Sequence, residues 1–181
     1  MPARRRYVAL LRGINLGARN KLAMGDLRAL VEAFGGEDVQ TYVQSGNVVF
    51  TSGAAAGGLE RGLAKEILRA HGLDVPVLVR SAAELGRIVN KNPFLRTGAE
   101  EKSLHVTFLD EKPKQAVVKA LDPSFSPPDA LRVAGREVYL LCPNGYGRSK
   151  LSNAFFEKRL DVVATTRNWR TVRTLAELAG S

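Results

Sequence analysis

Two hydrophobic rhythms alternate along the chain. "RYVALL" is a dense β-rich run and reads as a first strand. Leu27, Leu30, Val31 and Phe34 recur at the spacing of one helical face, which Gly35-Gly36 ends. "DVQTYV" and "NVVFTS" are β-rich runs flanking "QSG", a hairpin signal. Leu59, Leu63 and Ile67 stripe a second helix, stopped at His71-Gly72. "LDVPVLV" reads as a fourth strand, and its Pro76 predicts a sheet edge. Ser81-Ala-Ala-Glu84 has the spacing of a capping box, opening a helix that ends near Asn92-Pro93. The order is βαββαβα.

The pattern then recurs. "SLHVTFLD" is a strand, and Val117, Val118 and Leu121 give a helix behind Pro113 its apolar face. "ALRVA" and "EVYLLC" predict a hairpin around Gly135. "SKLSNAFFEKRL" predicts a helix, "LDVVATT" a short strand and "NWRTVRTLAEL" a last helix. Leu73-Asp74-Val75 aligns with Leu160-Asp161-Val162, and at that offset Arg80 matches Arg167 and Ser81 matches Asn168. A repeated order of seven elements reads as an internal duplication. The expected fold is α+β: two ferredoxin-like βαββαβ lobes with antiparallel sheets, each followed by an extra helix. The expected lobes are residues 1–95 and 96–181.

Composition narrows the picture. With 181 residues, 45% of them apolar, the chain can bury a core in one large domain or two lobes. No apolar run approaches membrane-spanning length, and Tyr7–Leu11 is too short for the apolar core of a signal peptide. A single cysteine, Cys142, rules out an internal disulfide and fits a reducing cytoplasm. With only His71 and His105 beside it, no zinc cluster of cysteine and histidine can form. Nothing in the motifs calls for a cofactor.

Charge changes the picture more. The net charge is +9, and it is uneven. Residues 1–21 carry six basic residues and no acid. Residues 148–173 carry seven basic residues against Glu157 and Asp161, while the stretch between these two segments is near neutral. Such asymmetry points to a polyanionic or phosphate-bearing partner.

The loop "LLRGINLGARNK" lies at the centre of that excess. In a ferredoxin-like lobe the end of strand one lies beside the turn joining strands two and three. This places Arg12, Asn15 and Lys21 near Ser45 and Asn47. In the second lobe "PNGYGRSK" follows strand three and "TTRNW" follows strand four, so Arg148, Lys150, Arg167 and Asn168 gather at the opposite pole of that lobe. Were the polar ends of the lobes to face each other, one basic inter-lobe cleft would collect them all. Arg12, Lys21, Arg148, Lys150 and Arg167 would hold phosphates, and Asn15, Ser45, Asn47 and Asn168 would supply directional hydrogen bonds. Each residue also has a plainer role: asparagines favour turns, Asn168 can cap a helix, and Trp169 begins an apolar helix face. Neither a P-loop nor a dinucleotide fingerprint is present.

"ALLRGINLGARNK", "LRALVEAFG", "TYVQSGNVVF", "NPF", "GRSKLS" and "TTRNW" together make the chain resemble the bacterial domain of unknown function family 1697. The resemblance spans nearly the whole chain. It implies a two-lobed α+β fold of ferredoxin-like subdomains and implies no activity.

Three functional readings follow. The first is a cytoplasmic protein binding an anionic ligand in the basic cleft: RNA, single-stranded DNA or a phosphorylated small molecule. The second is an enzyme acting on a phosphorylated or nucleotide substrate, with Cys142 and His105 as a thiol–imidazole pair. The competing view of that pair is a buried small side chain beside a histidine on the other sheet face. The third is a protein-interaction module with an acidic partner.

Overall fold

The computed structural model describes residues 2–180. Two four-stranded antiparallel sheets and, among the described residues, six α-helices make an α+β protein. The chain divides into two units. One runs to Arg87 and takes in the chain from Thr174 onward; the other is Ile88–Arg173.

The first sheet holds β1 (Arg5–Leu11), β2 (Glu37–Thr41), β3 (Asn47–Ser52) and β4 (Val77–Ser81), in the order β2-β3-β1-β4. Helices α1 (Met24–Ala33) and α2 (Ala56–His71) lie in the connections, and α3 (Ala82–Asn90) follows β4 directly. The expected edge position of the fourth strand is met, with Pro76 just before it: β4 pairs only with β1. Ser81 and Glu84 form the capping box, the Glu84 carboxylate accepting from the Ser81 amide at 2.7 Å and the Ser81 hydroxyl from the Glu84 amide at 3.3 Å.

Tyr7, Ala9, Leu11, Val48, Phe50, Val77 and Val79 pack with Leu27 and Val31 of α1 and Leu59, Leu63 and Ile67 of α2. These positions alternate along each strand, as one sheet face must. The other face carries Val8, Leu10, Val49 and Leu78, and these too are fully buried. Burial on both faces explains why "YVALL" is continuously apolar and does not alternate.

The second sheet repeats the order with β5 (Leu104–Leu109), β6 (Ala130–Ala134), β7 (Glu137–Leu141) and β8 (Ala164–Asn168), arranged β6-β7-β5-β8. The helix after β5, α4 (Gln115–Lys119), is a short five-residue stub. Helix α5 (Asn153–Leu160) packs Phe156 and Leu160 against Leu109, Val138, Leu140 and Ala164. Thr166 of β8 donates to the Asn153 side chain at 2.7 Å and meets Thr107 of β5 at 2.7 Å, fixing the start of α5 to the sheet. The last helix, α6 (Trp169–Gly180), follows β8 without a loop. No helix among the described residues is long and apolar enough to cross a membrane.

Candidate functional site

The basic loop after β1 is held by its own backbone. The Leu11 amide donates to Gly46 O at 2.8 Å and the Arg12 amide to Pro76 O at 3.0 Å, so the loop leaves the sheet at a fixed point. Asn15 sits at φ 55°. Its side-chain amide donates to Leu22 O at 2.9 Å and to Gln44 O at 2.7 Å, and its Oδ1 accepts from the Leu22 amide at 2.9 Å. Asn20, at φ 50°, donates from its side chain to Gly13 O at 3.0 Å. An asparagine tolerates this left-handed backbone because its short side chain bonds locally. The two asparagines therefore tie the loop shut and tie it to the turn before β3.

That turn is internally braced as well. Asn47 is fully buried, and its side-chain amide donates to Tyr42 O at 3.0 Å and to Ser45 Oγ at 2.8 Å. The structure thus brings Asn15, Ser45 and Asn47 into one corner, as the topology predicts. Both donor hydrogens of Asn15 and both of Asn47 are spent inside the chain. The bracing leaves a rigid platform with Arg19 and Lys21 exposed and Arg12 half-buried. Among the described residues, the side chains of Arg19 and Lys21 meet no acidic partner. Arg19 was not singled out as a site residue from sequence; its place at the loop tip beside Asn20 was the available signal.

In the second unit Arg148 and Lys150 come together. Both are exposed, and they line a cleft of about 200 Å³ with Ser126, Asp129, Asn144 and Gly145. Ser126 fastens the two sides: its hydroxyl donates to Asp129 Oδ2 at 2.7 Å and accepts from the Lys150 amide at 3.1 Å.

Arg167 is placed differently from the expectation of a ligand-facing cation. Its side chain is buried, and its Nη1 donates to Thr165 Oγ1 at 2.7 Å and Thr166 O at 3.1 Å. Burial pulls its guanidinium down to about 10, so it stays charged at neutral pH. Asn168 caps α6, its Oδ1 accepting from the Thr171 amide at 2.8 Å.

Cys142 and His105 share a sheet face. His105 lies opposite Leu140, two residues before Cys142, and Leu140 and Cys142 belong to the same apolar cluster. The view that they face apart is therefore corrected. The chemistry of a thiolate nucleophile is nonetheless missing. Cys142 is fully buried, and burial pushes its thiol up to about 11, against a Ser149 hydrogen bond and with the Asp129 charge adding to the rise. A thiol of that acidity is protonated at neutral pH. His105 is lowered from its ordinary value by burial, opposed by the Ser103 backbone, and its ring stacks on Tyr146 at 4.9 Å. No group of three or more histidine, cysteine or carboxylate side chains able to hold a metal ion occurs among the described residues.

The family model described as "Protein of unknown function (DUF1697)" matches residues 4–139. Among solved structures, the chain is similar to the conserved bacterial protein SP0830 from Streptococcus pneumoniae. The two are 21% identical, with 98% of this chain and 99% of that one covered and a TM-score of 0.67. At that identity the likeness concerns the fold. No curated protein matches the chain.

Proposed function

We propose that this chain, which belongs to the DUF1697 family of proteins of unknown function, binds single-stranded nucleic acid through the phosphate backbone. The observation that carries the reading is the braced loop after β1, which holds Arg19 and Lys21 in solvent without acidic partners. Arg148 and Lys150 repeat the arrangement in the second unit. Cations spread over two loops suit a chain of phosphates, each contact releasing counterions. The cleft at Arg148 and Lys150, about 200 Å³, is smaller than the roughly 300–1,000 Å³ usual for small-molecule sites. That size favours a backbone contact over an enclosed phosphorylated metabolite. An enzyme using Cys142 loses its support, because the buried thiol is not ionised at neutral pH.

The same reading takes each unit as a ferredoxin-like lobe and the pair as an internal duplication. Its support is the shared strand order, the matching positions of Arg80 and Arg167, and a capping side chain at each closing strand–helix junction, Ser81 and Asn168. A cytoplasmic location accords with a lone buried cysteine.

The test is fluorescence anisotropy of a short labelled RNA at low and raised salt. Affinity is expected to fall steeply with salt. Arg19→Ala/Lys21→Ala and Arg148→Ala/Lys150→Ala should each weaken binding and flatten the salt slope by about one unit per cation removed. Absence of binding, or binding indifferent to both double variants, would remove nucleic acid; capture of one acidic protein partner insensitive to nuclease would replace it.

A further inference from the structure

A third polar feature of the second unit belongs to neither basic loop. Glu101, Lys102, His105, Asn168, Trp169 and Arg170 line a cavity of about 340 Å³ at the start of α6. Helix α6 has 12 residues, long enough for an appreciable dipole. Its N-terminal amides, other than the one Asn168 takes, have no helical partner and favour an anion.

The wall of this cavity includes a side chain with one ring nitrogen that the fold leaves unsatisfied. His105 is only 9% exposed, and its Nδ1 has no hydrogen-bond partner. It sits on β5 directly opposite Asn168, the cap of α6, so the imidazole and the helix start lie on the same sheet face. A buried polar nitrogen without a partner costs free energy and calls for an explanation. The ring bonds the Ser103 backbone, and Nδ1 is the nitrogen left for a bound acceptor.

The charges around the cavity point the same way. Arg170 is exposed and meets no acidic partner among the described residues. Lys102 is held by Glu100 at 2.7 Å, but that pair is well exposed and easily exchanged for a stronger anion. Glu101 is the one adverse charge in the lining, and it is engaged by Arg173. Two cations, a helix start and a neutral imidazole donor outweigh a carboxylate that already has its own cation.

We propose that the cavity at the start of α6 is a binding site for a small phosphate monoester dianion. Arg170 and Lys102 supply charge, the first turn of α6 supplies N–H donors, and His105 supplies one further donor from the floor. At about 340 Å³ the cavity has room for the phosphate and a small organic group beside it. The proposal does not depend on nucleic-acid binding.

Trp169 makes the test direct. It is the only tryptophan in the chain and part of the cavity wall, so its fluorescence reports occupancy without a label. The intact protein would be titrated with inorganic phosphate, and with sodium chloride at matched ionic strength. A saturable change with phosphate alone is expected, weakened about tenfold in Arg170→Ala, since one charge-assisted contact is lost. Glu101→Gln should tighten binding, and Arg19→Ala/Lys21→Ala should leave the titration unchanged. A phosphate response no different from that of chloride, or an Arg170→Ala curve superimposed on the wild type, would overturn the site. If the Arg19→Ala/Lys21→Ala variant lost RNA but kept the phosphate response, the two readings would be separated.

Discussion

Arg80 and Arg167 occupy matching places in the two sheets. Each is the fourth residue of the closing strand, Arg80 opposite Val8 and Arg167 opposite Val106 of the first strand of its sheet. Their exposures are 0% and 7%. Arg80 donates to Val79 O at 3.1 Å, and Arg167 to Thr165 and Thr166. A guanidinium removed from water is tolerated only when its donors are engaged.

Arg167→Ala is accordingly expected to act on stability before it acts on any ligand. It removes a large buried side chain and leaves two acceptors without their donor, a loss of about 2–4 kcal/mol by the scale of buried truncations. Lysine should rescue little, because it cannot reproduce a planar fork of donors. Urea denaturation of Arg80→Ala, Arg167→Ala and Arg167→Lys measures this; an unchanged midpoint for Arg167→Ala would show that the buried position is not structural.

The loop platform has its own stress points. Gly46 sits at φ 82°, and a Cβ there would approach Leu11 Cβ to 2.8 Å. Gly46→Ala should destabilise by about 1–3 kcal/mol through both the backbone and the clash. Val43, a β-branched residue, is held at φ 50° while 48% exposed. Val43→Gly should therefore stabilise, by roughly 1 kcal/mol from the relieved left-handed strain. Thermal denaturation of the two variants should move in opposite directions, and a shift in the same direction would sink the account.

Much of this architecture was legible in the sequence, for identifiable reasons. Helical spacing at Leu59, Leu63 and Ile67 gave α2, and the spacing of Ser81 and Glu84 gave the junction to α3. Pro76 gave the edge strand. What pattern could not show was where polar groups spend their hydrogen bonds. Asn15 and Asn47 read as ligand donors, yet folding places carbonyls of Leu22, Gln44 and Tyr42 within reach of them. Arg167 read as a surface cation, because charge patterns carry no sign of which sheet faces are buried. Lys102 and Arg170 were invisible as a pair, since 68 positions of chain separate two residues of one cavity wall.

Cys142 should behave as a core side chain in solution. Its thiol is pushed up to about 11 and is fully buried, so a thiol-specific alkylating reagent near neutral pH should leave the native protein unmodified. Denaturant should expose it to full reaction. Stoichiometric labelling of the native fold at the rate of a free thiol would contradict the burial and reopen a nucleophilic role.

The imidazole of His105 links the same unit to pH. Burial sets its folded pKa below the ordinary 6.5, so between those two values the unfolded chain binds more protons than the folded one. Its contribution to stability is therefore complete above about 6.5 and is lost as pH falls through that window toward the folded value. Lys102 and Arg170 on the shared cavity wall add repulsion to a protonated ring, and Glu101 opposes it. Urea midpoints measured from about pH 8 down to pH 5 should decline for the wild type, and His105→Gln should flatten that decline, because histidine is the group that titrates there. An acid decline equally steep in His105→Gln would assign the effect to the carboxylates. Bound phosphate, by offering His105 an acceptor for its proton, should raise the folded pKa toward the unfolded value and shrink this part of the decline.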